Sequence, residues 1–340
     1  MPSHSLSYHD FWNALSNKKV LFLTHERPDM DTLSSALALT HFSRSRCDST
    51  FGITKPLTQH YQSQILFFPI QPRVITSFRS FDVIVCVDFR SPSQAGELSR
   101  ALQSFNGKII LLDHHSLSPH EFPKKTVSLI KPHSIATAQM VTEMMIEKHF
   151  SFPPKIARAL AIGIISDSAR FMVANPQTFS LFDFLLTRSG VSYDTIFARA
   201  VPTPSIHERV GIIHSLKQAK LVSVDDFLIG AVIHPHQTSW IASILVQIGC
   251  DIGLSVSPSP DGVYSSIRLS NRIYSKLKLD ATSIFRSLAQ QHNGTSGGHA
   301  RAAQLNLPPY ISENIILDAL MREIYSRARK KNKKAFPKIH

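Results

Sequence analysis

Three short stretches of this chain are continuously apolar and stop on polar chemistry. Residues 20–23 (VLFL) lead into a turn carrying His25, Asp29 and Asp31. Residues 83–87 (VIVCV) stop at Asp88, and residues 109–112 (IILL) stop at Asp113, His114 and His115. Apolar runs of this length, bounded by polar turns, predict strands buried on both faces. Helix-spaced patterns lie between and around them, at residues 8–17, 32–40 and 93–105. Residues 48–80 are less clearly patterned, with 51–53 and 65–68 as short strands. Further helices are predicted at 136–149, from Pro153-Pro154 to 165, and at 176–189; the second of these delivers Ser166-Asp167-Ser168. Strands alternating with helices predict an α/β fold, a parallel sheet with helices on both faces.

Past Pro202 and Pro204, which mark the approach to a hinge, a connecting helix is predicted at 205–220. Strands at 227–233, 252–257 and 263–269 then mix with helices at 240–248, 281–291 and 312–329. A turn, Gly294-Thr295-Ser296-Gly297-Gly298-His299, precedes the last helix. The pattern divides the chain into a first domain at 1–195, a linker at 196–222, a smaller mixed α/β domain at 223–330 and a basic tail at 331–340. Two domains also suit 340 residues.

Composition narrows the class. The chain is 43% hydrophobic and 18% charged, as globular proteins are. No run approaches the roughly 20 apolar residues of a membrane span, and the first residues lack a signal-peptide core. Cys47, Cys86 and Cys250 are odd in number and far apart, which gives neither a disulfide framework nor metal-ligand spacing. A soluble cytoplasmic protein with no membrane partner is expected. The formal net charge of +13 favours a polyanionic or phosphorylated partner. About half of that excess is a tail: Arg327, Arg329, Lys330, Lys331, Lys333, Lys334 and Lys338. Such a tail reads as a solvated terminus, with weak nucleic-acid contact as the alternative.

The strand ends carry the chemistry. In a parallel sheet the carboxyl ends share one edge, so Asp29, Asp31, Asp88 and His114 would converge there, with Asp167 a further acid. Carboxylates so crowded would take up protons unless cations relieve the repulsion, and a pair of divalent ions does so. Each residue alone has a plain alternative: Asp31 as a helix N-cap, His25 and Asp29 as solvated loop, Gly297-Gly298 as a simple turn. Met140, Met144 and Met145 read as core.

With these residues in order, the chain resembles the DHH phosphoesterase superfamily, with the DHH-associated domain at its C-terminus, over nearly its whole length. His25-x3-Asp29-x-Asp31 resembles the first motif, Asp88 the second, Asp113-His114-His115 the third and Asp167 the fourth. The run from Ser296 through Ala303 resembles the glycine-rich C-terminal motif, with Arg268 and Ser270 upstream. Departures are Met30, Ser296 and Gln304, each where the family commonly has Gly. The resemblance implies two Mn²⁺ ions, or Mg²⁺. His25, Asp29 and Asp88 would hold one, and Asp31, Asp88, His114 and Asp167 the other, with Asp88 shared. It implies that His115 meets the scissile phosphate, oriented by Asp113, although Asp113 as a buried structural residue is an equal alternative. The C-terminal domain would close over the cleft, with Arg268, His299 and Arg301 on a phosphate or sugar. Arg301 and Arg170 are the weaker members of the substrate set.

Within the superfamily, the C-terminal motif argues against the inorganic pyrophosphatase branch, and 340 residues leave no room for the added modules of a processive exonuclease. The compact branch hydrolyses short RNA oligonucleotides (nanoRNA) to mononucleotides, and some members take 3′-phosphoadenosine 5′-phosphate or cyclic dinucleotides. A nanoRNase is therefore the first expectation and a cyclic di-AMP or pApA phosphodiesterase the second. An exonuclease on longer single strands and a catalytically idle nucleic-acid-binding protein are the remaining alternatives. A homodimer is compatible with all of them.

Overall fold

The computed structural model describes residues 6–115, 122–123, 125–201, 205–233, 238–312, 314–331 and 337–339. Pro202 and Pro204 of the expected hinge lie outside the described residues. The chain forms two compact units, Met1–Thr203 and Pro204–His340. The stretch expected to be a linker is divided between them, with one helix on each side of the boundary.

The first unit contains α1 (Tyr8–Leu15), β1 (Lys19–Thr24), α2 (Met30–Ser43), β2 (Asp48–Ile53), α3 (Gln59–Gln64), β3 (Arg73–Val74) and β4 (Val83–Val87). A 3-10 segment (Pro92–Leu98) leads to α4 (Ser99–Gln103), β5 (Lys108–Asp113), β6 (Val127–Ile130), α5 (Thr137–Glu147), α6 (Pro154–Asp167), α7 (Pro176–Ser189) and α8 (Tyr193–Ala200). All six strands are parallel, in the order β3-β2-β1-β4-β5-β6. The alternation of side chains explains the continuous apolar runs. Val20, Phe22, Val85 and Leu112 pack on one face against α1, α2, α5 and α6. Leu21, Leu23, Ile84 and Leu111 pack on the other with Phe78, Phe89, Ala95 and Leu102. Burying each such side chain contributes about 1.5–3 kcal/mol.

Helix α2 is buried almost all round, between the sheet and α6, and its Ala36, Leu37 and Leu39 are inward as the pattern predicts. It begins two residues earlier than expected, because Asp29, rather than Asp31, is its N-cap. Residues 65–68 form turns after α3 instead of a strand; Ile65 and Phe68 are apolar because they fill the core beside α3.

The second unit contains α9 (Ile206–Lys217), β7 (Lys220–Val224), β8 (Phe227–Ile233), α10 (Thr238–Gln247), β9 (Ile252–Ser259) and β10 (Gly262–Leu269). It continues with α11 (Asn271–Leu277), α12 (Ala281–Gln291), β11 (Thr295–His299), β12 (Ala302–Leu307), α13 (Asn314–Lys331) and β13 (Pro337–Ile339). The sheet is mixed, β11-β12-β10-β9-β8-β7-β13, with only β8 and β9 parallel. One face packs on α11, α12 and α13, and the other on α9 and α10.

Two expectations change here. The Gly297-Gly298 turn is an edge strand, and Gly298 (φ 136°) is forced by packing: a Cβ would stand 2.3 Å from the Ala302 carbonyl oxygen. The tail at 331–340 is not wholly a solvated terminus, since Pro337–Ile339 pair with β7. Among the described residues no helix is long and apolar enough to cross a membrane. Cys86 and Cys250 are buried free thiols, and Cys47 is a half-buried one.

Candidate metal centre

The strand order reverses at β1, whose neighbours β2 and β4 lie on opposite sides. Open parallel sheets bind ligands at such a switch, beyond the carboxyl ends of the strands. His25 and Asp29 follow β1, Asp88 follows β4, Asp113 closes β5 with His114 and His115 behind it, and Asp167 closes α6. The structure brings them together in three overlapping groups: His25, Asp29 and Asp88; Asp31, His114 and Asp167; Asp88, Asp113, His114 and His115. Within each group the ligand atoms lie within 4.8 Å of one another. Asp88 and His114 each belong to two groups and join the set.

Asp88 adopts a left-handed backbone (φ 62°), a strained conformation for a residue with a Cβ, costing on the order of 1–3 kcal/mol. Its amide still donates to the Leu112 carbonyl (2.8 Å), so the strand pairing persists while the side chain turns over the edge. Asp88 Oδ1 lies 3.4 Å from His115 Nδ1 and 3.8 Å from His114 Nε2. Asp31 is fully buried, and its two oxygens accept the Thr137 and Ala138 amides at the N-terminus of α5 (2.8 and 2.7 Å). That helix end favours a negative charge.

Burial and mutual repulsion shift the protonation of these crowded acids. Burial, then the neighbouring Asp88 and Asp167, pushes Asp29 up to about 7. Burial, then Asp167, Asp88 and Asp29, raises Asp31 as well. Asp88 is the exception: burial opposes ionisation, but the His115 hydrogen bond and the charges of His114, His115 and His25 hold it below the carboxylate range. Burial lowers His25. For His115 burial pulls downward, and the bonds to Asp113 and Asp88 outweigh it, to about 9.

Two observations show that this donor set fits divalent cations. The Thr32 hydroxyl contacts Asp29 Oδ1 (3.0 Å), Asp88 Oδ2 (2.9 Å) and His25 Nε2 (3.0 Å), yet has one proton to give. Secondly, His114 Nε2 is buried without a hydrogen-bond partner, although Asp167 Oδ2 stands 2.9 Å away, and Asp113 Oδ2 is likewise unpartnered. Carboxylate oxygens and imidazole nitrogens with spare lone pairs suit divalent cations. His114 Nδ1 faces the Ser134 carbonyl (3.3 Å), which fixes the tautomer that leaves Nε2 free to ligate.

Thr32, Thr137, Ser134 and Arg90 were not picked out by sequence. Thr32 adjoins a motif residue and could have been noted. Arg90 lies two positions after Asp88, whereas Ser134 and Thr137 reach the site only through tertiary packing, as with Thr137, which lies 106 positions from Asp31.

In the second unit, Arg268 pairs with Ala302 across β10 and β12, and Ala302 pairs with His299 across β12 and β11. These positions and Gly297-Gly298 therefore share one corner of the sheet. No atom lies within 4 Å of a Cβ built on Gly297, so packing does not demand glycine there. Arg268 Nη1 donates to Ser266 Oγ (2.9 Å) and the Ile267 carbonyl (3.0 Å). Ser270 caps α11 and donates to buried Asp251 (2.9 Å), while Arg301 bonds the Asn271 side chain. Arg170 is exposed on a turn in which Ala169, Arg170 and Phe171 all have positive φ.

Residues 19–164 match the DHH family, N-terminal domain, and residues 229–326 match the DHHA1 domain. Together these place the protein among the divalent-metal-dependent hydrolases of phosphoester or phosphoanhydride bonds. The chain belongs to the DHH phosphoesterase superfamily and carries the DHH-associated C-terminal domain. An uncharacterized protein of Methanocaldococcus jannaschii is 23% identical over 94% of this chain and 97% of its own length. The bifunctional oligoribonuclease and PAP phosphatase NrnA of Mycoplasma pneumoniae is 25% identical, over 49% of this chain and 51% of that protein. The cyclic-di-AMP phosphodiesterase PdeA of Listeria monocytogenes is 22% identical, over 53% of this chain and 29% of that protein. Among solved structures, an exopolyphosphatase-related protein of Bacteroides fragilis shares the fold, with a TM-score of 0.71 at 18% identity, over 94% of this chain and 96% of that one.

Proposed function

We propose that this protein is an Mn²⁺-dependent phosphodiesterase that hydrolyses short oligoribonucleotides to 5′-mononucleotides, with 3′-phosphoadenosine 5′-phosphate as a second substrate. The observation that carries the reading is the meeting of acids and imidazoles, from the ends of β1, β4, β5 and α6, at one edge of the sheet. Similarity to a relative named as an oligoribonuclease and PAP phosphatase supports the substrate class. Similarity to a cyclic-di-AMP phosphodiesterase favours a second reading, hydrolysis of cyclic di-AMP or pApA.

In this proposal His25, Asp29 and Asp88 hold one divalent ion, and Asp31, Asp88, His114 and Asp167 the other. Bound ions would lower the pKa of the attacking water and offset charge on the phosphate oxygens. The remaining work belongs to side chains of this protein. Asp113 Oδ1 accepts from His115 Nδ1 (2.8 Å), which fixes the tautomer and turns Nε2 outward. A protonated His115 is then placed to donate to a phosphate oxygen or to the leaving oxygen, and a pKa of about 9 keeps it charged at neutral pH. Arg268, Ser270, Gly297, Gly298, His299 and Arg301 would grip a phosphate or sugar of the substrate. The basic C-terminal residues add weak contact with nucleic acid.

A Mn²⁺-dependent assay on pApA, cyclic di-AMP, 3′-phosphoadenosine 5′-phosphate and a 24-mer RNA tests the reading. The expected order puts pApA first and the 24-mer last, with no activity in Asp88→Ala. Activity persisting in that variant would show the centre to be misassigned. Faster turnover of cyclic di-AMP than of pApA would favour the second reading, and preference for the 24-mer would make the protein an exonuclease on long strands.

A further inference from the structure

We propose that Arg90 is a phosphate-binding residue, the cation that grips the substrate's phosphoryl oxygens beside His115. The inference rests on the hydrolase reading above and adds a contact outside the metal ligands and the C-terminal motif.

The argument begins with how the chain leaves β4. The left-handed turn at Asp88 sends Phe89 into the core, where it is fully buried, and brings Arg90 out as an exposed side chain. The backbone that carries Arg90 is held firmly. The amides of Arg90 and Ser91 both donate to the Gln94 side-chain oxygen. Gln94 in turn accepts the Glu26 amide (2.7 Å) from the loop after β1. The position of Arg90 is thereby tied to two of the strand ends that build the centre.

The guanidinium itself lies against His115 Nε2. That is the outward atom of the imidazole, since Nδ1 is occupied by Asp113. No carboxylate pairs with Arg90 among the described residues, although Asp88 is only two positions away.

Charge counting gives this cation a purpose. Asp29, Asp31, Asp88 and Asp167 carry four negative charges when ionised, and two divalent ions carry four positive ones. The loaded centre is then neutral and holds no net attraction for an anionic phosphodiester. Asp113 similarly offsets a protonated His115. Arg90 is left as an uncompensated positive charge beside His115. A guanidinium resting on an imidazole is a poor contact when both are cationic, and an oxyanion placed between them accepts from both. Its planar fork can give two hydrogen bonds to one phosphate, which an ammonium cannot reproduce.

The test uses Arg90→Gln and Arg90→Lys in the full chain, with three readouts: Mn²⁺ affinity, affinity of the Mn²⁺-loaded protein for inorganic phosphate, and hydrolysis of bis(p-nitrophenyl) phosphate and pApA. Arg90→Gln is expected to bind Mn²⁺ within about twofold of the original protein and to bind phosphate about 10–100-fold more weakly, the range for losing a charge-assisted contact. Arg90→Lys should fall between. The loss in kcat/KM should be equal for the two substrates, which share only the phosphodiester. Phosphate affinity within threefold of the original in Arg90→Gln would overturn the proposal. So would a matching loss of Mn²⁺ affinity, which would make Arg90 a structural support. If the unaltered protein hydrolyses neither substrate, the hydrolase reading fails by itself, and the phosphate measurement still decides Arg90.

Discussion

Gly163 stands on α6 one turn before Asp167, facing the helix that carries Asp31. A Cβ there would lie 2.9 Å from the Ala138 Cβ and 3.3 Å from Asp31 Oδ1. Alanine would raise helix propensity by about 1 kcal/mol. Against that gain, the new methyl meets a methyl on the fully buried Ala138, which has no rotamer to retreat into, and overpacking of this kind costs about 1–3 kcal/mol. Crowding should win. Gly163→Ala is expected to lose about 1 kcal/mol of stability and, because the crowded Ala138 donates its amide to Asp31, about tenfold in Mn²⁺ affinity. Thermal unfolding and metal titration check this; a raised Tm with unchanged affinity would show that α5 simply moves aside. Nothing in the local sequence announces this role, since a glycine within AIGII looks like any small residue of a buried helix. The same holds for Ser134 and Thr137, whose importance lies in what folds against them.

At the scale of elements, one side chain serves two purposes that substitution can separate. Asp29 caps α2, its Oδ1 accepting the Thr32 amide (2.9 Å), and it belongs to the group with His25 and Asp88. Serine caps a helix about as well as aspartate but brings no carboxylate, while alanine does neither. Asp29→Ala should therefore be about 1 kcal/mol less stable than Asp29→Ser in metal-free protein, with both losing Mn²⁺ binding at the first site. Wild-type Mn²⁺ affinity in Asp29→Ser would reduce Asp29 to a cap. The elements themselves were unequally legible. Strands β1, β4 and β5 declare themselves because the sheet is covered on both faces, so every position is apolar. Edge strands carry no such mark. Both residues of the edge strand β3 are exposed. In β11, glycine and serine resemble a turn, and only the partner strand reveals otherwise. The acids at the strand ends were legible as a set. The strand order that makes β1 and β4 neighbours was not, because it depends on which runs pair.

For the molecule as a whole, the crowded acids make stability depend on pH in a direction opposite to that of most proteins. Asp29, with a folded pKa of about 7 against an ordinary 3.8, keeps its proton in the native state through a range where the unfolded chain has released it. The native state then binds more protons, so stability falls as pH rises from about 4 to about 7. Asp31 and Asp113 are raised, chiefly by burial, and act in the same sense. His115, raised to about 9, adds stability that is complete below its ordinary 6.5 and is lost as pH climbs through 9. His25, lowered by burial, opposes this trend just below 6.5. Asp88, held low, contributes stability that disappears only on acidification below the ordinary carboxylate range. Three raised acids, together with the raised His114, outweigh the two lowered imidazoles, His25 and His41, between pH 5 and 7. With metal removed, the midpoint of unfolding should fall across that interval. Saturating Mn²⁺ takes the place of the retained protons and should abolish the slope or reverse it, with the largest stabilisation at the highest pH. Melting curves in EDTA and in Mn²⁺ at pH 5, 6, 7 and 8 measure both trends. Metal-free protein that grows steadily more stable from pH 5 to 7 would mean that the acids do not share one desolvated site, and the two-ion centre would lose its physical basis.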